Sequence, residues 1–148
     1  MKPVKVLFVC VHNSARSQMA EGFLNHLGIG GFVAESAGLE PGLLNQVVVS
    51  AMKMVGIDIS GNKTKTVGSI IASGKKFDYI ITVCDESNAE KCPFIPGECK
   101  RLHWSFDDPS ALIGSYAEKL NQTLLIMHQI KTRIENWIKE LQTLNKLQ

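Results

Sequence analysis

The sequence predicts an α/β fold in three layers, a four-stranded parallel sheet with helices on both faces. Three observations predict it. Short β-rich apolar runs alternate with segments whose apolar residues recur at helical spacing. Such alternation is the pattern of a parallel sheet covered on both sides. The chain has 148 residues, with 45% hydrophobic and 20% charged, the size and balance of one globular domain spanning 1–148.

The elements follow in order. Lys5-Val6-Leu7-Phe8-Val9 reads as a buried strand that runs into Cys10. Ser17 opens a helix, with Met19, Ala20, Phe23, Leu24 and Leu27 at helical spacing and Gly28 as its stop. Gly31 to Ala34 is the second strand, and Pro41-Gly42 marks a turn. Leu44, Val47, Val48, Ala51, Met52 and Val55 form the apolar face of a second helix, ended by Gly56. Gly61 to Thr66 is polar and loop-like, and Val67 to Ser73 fits a short helix. Tyr79 to Val83 is a strong strand that ends on Cys84. A long loop with Pro93, Pro96 and Gly97 separates it from a short edge strand, Arg101 to Trp104. Phe106 to Gly114 reads as a loop. Ala117 to about Leu144 is the longest helix, with Leu120, Leu124, Met127, Ile130, Ile134, Trp137, Ile138 and Leu141 on one face.

Composition excludes several classes. A net charge of +2 with scattered Lys and Arg offers no basic stripe for nucleic acid. The apolar run Val4 to Val11 is too short for a leader core, and no run nears the ~18 residues of a membrane helix. The expectation is a cytoplasmic protein. In a reducing cytosol Cys10, Cys84, Cys92 and Cys99 point to catalytic, redox or metal roles before structural disulfides.

Ligands of open parallel sheets bind beyond the carboxyl ends of the strands. Cys10 and Cys84 each directly follow a predicted strand, so both emerge at one sheet edge. Cys10 opens the segment Cys-Val-His-Asn-Ser-Ala-Arg-Ser, with five residues between Cys10 and Arg16. A loop joining a strand to a helix start can turn the backbone N–H groups of Val11, His12, Asn13, Ser14, Ala15 and Arg16 toward one anion. The helix adds the positive end of its dipole. Arg16 adds a planar fork that fits a tetrahedral oxyanion. The same groups favour a thiolate, which makes Cys10 a nucleophile held beside its electrophile. Singly, Cys10 is a strand-end thiol and Arg16 a helix-start residue; it is their spacing between strand and helix that carries the reading.

This segment resembles the phosphate loop of the low-molecular-weight tyrosine phosphatase superfamily. Its continuation, Arg16-Ser17-Gln18-Met19-Ala20-Glu21-Gly22, is more similar to the thioredoxin-coupled arsenate reductase branch, as is Glu35-Ser36-Ala37-Gly38. The resemblance runs from the first strand through Asp108-Pro109. It implies a low-molecular-weight phosphatase-like sheet, with Cys10 as nucleophile and Arg16 gripping the oxyanion. It implies also that Ser17 donates to the Cys10 sulfur and that Asn13 holds the loop in shape. His12, often Gly in the phosphatases, is expected to face solvent. Asp108, directly before Pro109, matches the general acid; Asp107 is a neighbour. Proline fixes the chain so that the preceding residue is presented rigidly.

The resemblance further implies two more catalytic thiols. Thr82-Val83-Cys84-Asp85-Glu86-Ser87-Asn88-Ala89-Glu90-Lys91-Cys92-Pro93 matches the loop that carries them. By that match Cys84 attacks the Cys10 adduct and Cys92 attacks Cys84, so Cys10, Cys84 and Cys92 are the redox cysteines. Arsenate leaves as arsenite, and a final Cys84–Cys92 disulfide is reduced by external thioredoxin. The activity would serve arsenic detoxification. The polar loop between the two cysteines suits a segment that rearranges. No tightly bound cofactor or metal is implied. Zinc held by Cys84, Cys92, Cys99 and His103 is the alternative, but intervals of seven, six and three residues depart from tight Cys pairs. Phosphate and sulfate are expected to compete with arsenate, and the chain is expected to be a monomer.

Two departures stand out. Some family members bind potassium through side chains matching Asn13, Glu21 and Ser36 plus an Asp. That Asp position falls near Lys65, whose ammonium is expected to replace the ion through Glu21 if it points inward. The last helix is also long, and Trp137, Ile138, Leu141 and Leu144 are expected to extend the core rather than form a dimer contact.

The competing function is a low-molecular-weight tyrosine phosphatase. Those enzymes usually have Pro where this chain has Gln18, and Tyr where it has Ser110, so the aromatic wall for phosphotyrosine is missing. Weak hydrolysis of small aryl phosphates would still be compatible with the loop. A catalytically silent oxyanion sensor is a third reading, opposed by the presence of Cys10, Arg16, Asp108, Cys84 and Cys92 together.

Overall fold

The computed structural model describes residues 2–84 and 97–147. Four strands form one parallel sheet: β1 (Val4–Cys10), β2 (Phe32–Gly38), β3 (Tyr79–Thr82) and β4 (Lys100–His103), in the order β2-β1-β3-β4. The helices are α1 (Arg16–Leu27), α2 (Gln46–Met54), α3 (Val67–Ser73) and α4 (Tyr116–Leu147), with a 3-10 turn at Pro109–Ala111.

Strand alternation sorts the core into two layers. Val6 and Phe8 point to one face of β1, and Leu7 and Val9 to the other. The first face packs on Met19, Phe23 and Leu24 of α1, Met52 of α2, and Met127, Ile130 and Ile134 of α4. The second packs on Val67 and Ile70 of α3. All five residues from Val6 to Cys10 are buried, which is why β1 reads as a continuous apolar run rather than an alternating one.

The predicted fold class is therefore the observed one. Differences lie at boundaries. β2 continues four residues past Ala34, through Glu35-Ser36-Ala37-Gly38. Those small and polar residues carry little strand propensity, but they pair with Leu7 to Cys10 along the central strand. α2 starts at Gln46 instead of Leu44 because Asn45 caps it, its Oδ1 accepting from Val47 N and Val48 N at 2.9 and 3.2 Å. Pro109–Ala111 forms a 3-10 turn where a loop was expected, because Asp108 accepts from Ser110 N at 2.9 Å. In α4, Trp137 and Ile138 are core, and Leu141 packs against it. Trp137 lies edge-on to Trp104 and Tyr79, with ring centroids 5.6 and 5.0 Å away. Leu144 does not extend that core; it is 55% exposed.

Sheet order places β1 and β3 side by side, with β2 beyond β1 and β4 beyond β3. The carboxyl ends of β1 and β3 are thus a topological switch point, where open α/β sheets bind their ligands.

Candidate active site

Val9 pairs with Thr82, and Val83 N–H donates to Val9 O at 2.8 Å. Cys10 and Cys84 therefore leave adjacent strands at the same edge. Both are buried. Cys92 lies outside the described residues.

The Cys10 loop leads straight into α1. Its cap position is Ala15, which has no side-chain acceptor for the first-turn N–H groups. Among the described residues, no carbonyl or side chain accepts from the N–H of His12, Asn13, Ser14 or Ala15. Capping by Ser, Thr, Asp or Asn would occupy such donors; leaving them uncapped keeps them for an anion.

Asn13 is buried and, among the described residues, is the one non-glycine with positive φ, 55°. That conformation costs an ordinary L-residue roughly 1–2 kcal/mol and is most accessible to Asn and Asp. Here it turns the loop backbone inward. Asn13 Nδ2 donates to Ser17 Oγ at 2.8 Å, and Ser17 Oγ lies 2.9 Å from Cys10 Sγ. Since Asn13 Nδ2 has only protons to offer, the Ser17 hydroxyl accepts from it, which leaves its own proton available to the sulfur. The contact itself allows either atom to donate; a Cys10 thiolate, which can only accept, would take the Ser17 proton.

Arg16 is buried, and two groups hold its fork. Nη1 donates to Phe106 O at 3.0 Å, and Nη2 lies 3.6 Å from Asp108 Oδ2. Asp108, not Asp107, thus faces the oxyanion loop. Ser110 ties the two loops together: Asn45 Nδ2 donates to Ser110 Oγ at 2.9 Å, while Asn45 N donates to Ser14 O at 2.9 Å. His12 faces solvent, with Nε2 3.2 Å from Glu40 Oε2.

The loop rests on two glycines. A Cβ built on Gly38 would meet Asn13 N and His12 C at 2.6 Å, and one on Gly42 would meet His12 O at 2.6 Å. Gly38 stood out in the sequence only as part of a motif. Gly42 was legible only as half of the Pro41-Gly42 turn, and Asn45 and Asn62 gave no signal for the site, because their partners there lie far along the chain.

Beside the loop, Lys65 points inward. Its Nζ lies 3.7 Å from Glu21 Oε1, its N–H donates to Asn13 Oδ1 at 2.9 Å, and Ser36 Oγ donates to Glu21 Oε1 at 3.1 Å. Burial pushes the Glu21 carboxyl above the usual carboxylate range; the Lys65 ammonium and the Ser36 hydroxyl oppose that rise. An ammonium thus stands beside Glu21, the carboxylate to which Ser36 also donates.

Cys99 is half-buried, and His103 is exposed, its Nδ1 2.6 Å from Thr82 Oγ1. Among the described residues no three His, Cys, Asp or Glu side chains converge as a metal site. A cleft of about 1170 Å³ lies at the amino ends of the strands, lined by Lys5, Asp78, Tyr79 and Lys100 among others. It contains no residue of the Cys10 loop and is remote from this chemistry.

A family model described as "Low molecular weight phosphotyrosine protein phosphatase" matches residues 5–147. An arsenate reductase of Bacillus subtilis (strain 168) is 38% identical over 135 residues, 91% of this chain and 92% of that protein. A solved arsenate reductase in the phosphate binding state is 32% identical, with a TM-score of 0.74 over 93% of this chain and 98% of that one. A thioredoxin-dependent arsenate reductase of Corynebacterium glutamicum is 29% identical, with a TM-score of 0.67 over 96% of this chain and 63% of that one.

Proposed function

The chain belongs to the low molecular weight phosphotyrosine protein phosphatase family, and within it we propose that the protein is an arsenate reductase, an oxidoreductase of arsenic detoxification. One observation carries this beyond a phosphatase: a second buried thiol, Cys84, stands beyond the strand adjacent to that of Cys10. A phosphatase releases its cysteine adduct with water and has no use for another thiol there.

The reaction starts with arsenate against the N–H groups of residues 11–16, gripped by Arg16. The Cys10 thiolate, receiving the Ser17 proton as a hydrogen bond, attacks arsenic. A sulfur–arsenic bond forms, and an arsenate oxygen departs as water with a proton from Asp108. The Cys84 thiolate then attacks Cys10 Sγ. A disulfide forms, the sulfur–arsenic pair stays on arsenic, and arsenite leaves, so arsenic gains the two electrons that the thiols lose. The Cys92 thiolate attacks Cys84 Sγ and frees Cys10. The resulting Cys84–Cys92 disulfide is reduced by thioredoxin. A cycle that starts from reduced cysteines suits a reducing cytoplasm.

Lys65 occupies the place of a potassium ion, so added potassium should leave the rate unchanged. Phosphate and sulfate compete for the loop, and small aryl phosphates are hydrolysed weakly as a side activity.

The experiment is arsenate-dependent NADPH oxidation with thioredoxin and its reductase. Cys84→Ser and Cys92→Ser should each abolish it while sparing aryl phosphate hydrolysis. Aryl phosphate turnover by the wild type with no arsenate-dependent NADPH loss would overturn the reading in favour of a phosphatase.

A further inference from the structure

Gln18 is only 1% exposed and uses both ends of its amide. Its Nε2 donates to Asn13 O and Asn13 Oδ1, each at 3.2 Å, and to Lys63 O at 3.3 Å. Its Oε1 accepts from Asn62 Nδ2 at 3.0 Å. Two of those acceptors are backbone carbonyls, which can only accept, so the direction of the Gln18 amide is determined. The backbone N–H of Lys65 can only donate, and it meets Asn13 Oδ1. Gln18 and Lys65 together leave Asn13 one orientation, with its oxygen toward residues 62–65 and its nitrogen toward Ser17. Ser17 then accepts from Asn13 and keeps its proton for Cys10, which as a thiolate can only accept. Gln18 is also the side chain that bonds the carbonyl of Asn13 itself, at the position where the chain runs with positive φ.

We propose that Gln18 is a positioning residue. By tying Asn13 to residues 62–65 it sets the direction of hydrogen bonding through Asn13 and Ser17 to the Cys10 sulfur. The proline that the phosphatases usually carry at this position has no group to do so. The proposal rests on Cys10 as the nucleophile, the reading given above, but not on arsenate as its substrate.

The test is the pH profile of Cys10 alkylation by iodoacetamide, followed by mass spectrometry on the tryptic peptide Val6–Arg16, in which Cys10 is the one cysteine. This readout needs no turnover, so a failure of the arsenate assay run in parallel would be a separate result. Gln18→Met keeps length and burial but loses every donor. It should slow alkylation at neutral pH about threefold to tenfold and move the profile to higher pH, the order of one hydrogen bond to a charged group. Ser17→Ala should slow it at least as much. The double variant should be no slower than Ser17→Ala alone, because Gln18 acts through Ser17.

A folded Gln18→Met protein with the wild-type profile would overturn the proposal, as would a Gln18 effect that persists in full without Ser17. If Gln18→Met does not fold, the half-exposed Asn62 supplies the second variant. Asn62→Ala frees Gln18 Oε1 and should slow alkylation in the same direction, by about twofold. An unchanged rate there would likewise overturn it.

Discussion

At the scale of single residues, the site depends on atoms that are absent as much as on those present. Gly38→Ala would drive a methyl into the backbone of the Cys10 loop, which is not the flexible end of a side chain and cannot turn aside. Arsenate turnover should fall at least tenfold with near-native circular dichroism, on the scale of about 1–3 kcal/mol for overpacking. Glu21 gives a pH signature. Its folded carboxyl titrates above the unfolded value of 4.5, so the folded state holds a proton that the unfolded chain has already lost. Glu21 therefore removes stability as pH rises from 4.5 through its raised folded value. Glu21→Gln should show a shallower loss of Tm across that interval than the wild type; identical slopes would contradict the assignment. Cys10, Asn13, Arg16 and Ser17 were legible in the sequence because one short segment holds them all. Asn45 and Asn62 were not, since their partners lie 65 and 44 residues away.

At the scale of elements, Asn45 performs two separable tasks. Its Oδ1 caps α2, and its Nδ2 and backbone N–H join Ser110 to Ser14. Asn45→Ala should cost about 1 kcal/mol of stability through the lost cap. Asn45→Ser should restore Tm but not the full rate, because serine caps well and is too short to reach Ser110. Thermal melts beside kcat measurements separate the two. In α4, Thr123 Oγ1 is buried with no hydrogen-bond partner among the described residues. Thr123→Val keeps the shape and should raise Tm by roughly 2–4 °C, from about 1 kcal/mol of relieved desolvation. Elements with strong periodicity, β1 and α4, could be read directly from the sequence. The second half of β2 could not, because its strand character comes from pairing with β1 and from the loop crossing it, not from Ser36, Ala37 or Gly38 themselves.

At the scale of the whole molecule, alternation of strand and helix made the parallel sheet legible, and the sheet in turn explains why two cysteines 74 residues apart leave it at one edge. The strand order itself was not legible. Only the pairing of Tyr79–Thr82 with Val6–Val9 puts β3 beside β1. The uncapped start of α1 has a thermodynamic consequence for the fold as well as for catalysis. A helix without a side-chain cap gives up about 1 kcal/mol that a bound tetrahedral anion restores. Any anion that binds the native loop and ignores the unfolded chain also shifts the folding equilibrium by mass action, about 2.7 kcal/mol at a hundred times its Kd. Inorganic phosphate should therefore raise Tm in step with the logarithm of its concentration while it inhibits arsenate turnover. In a cell rich in phosphate, the anion that obstructs the enzyme would also be the one that keeps it folded until arsenate arrives.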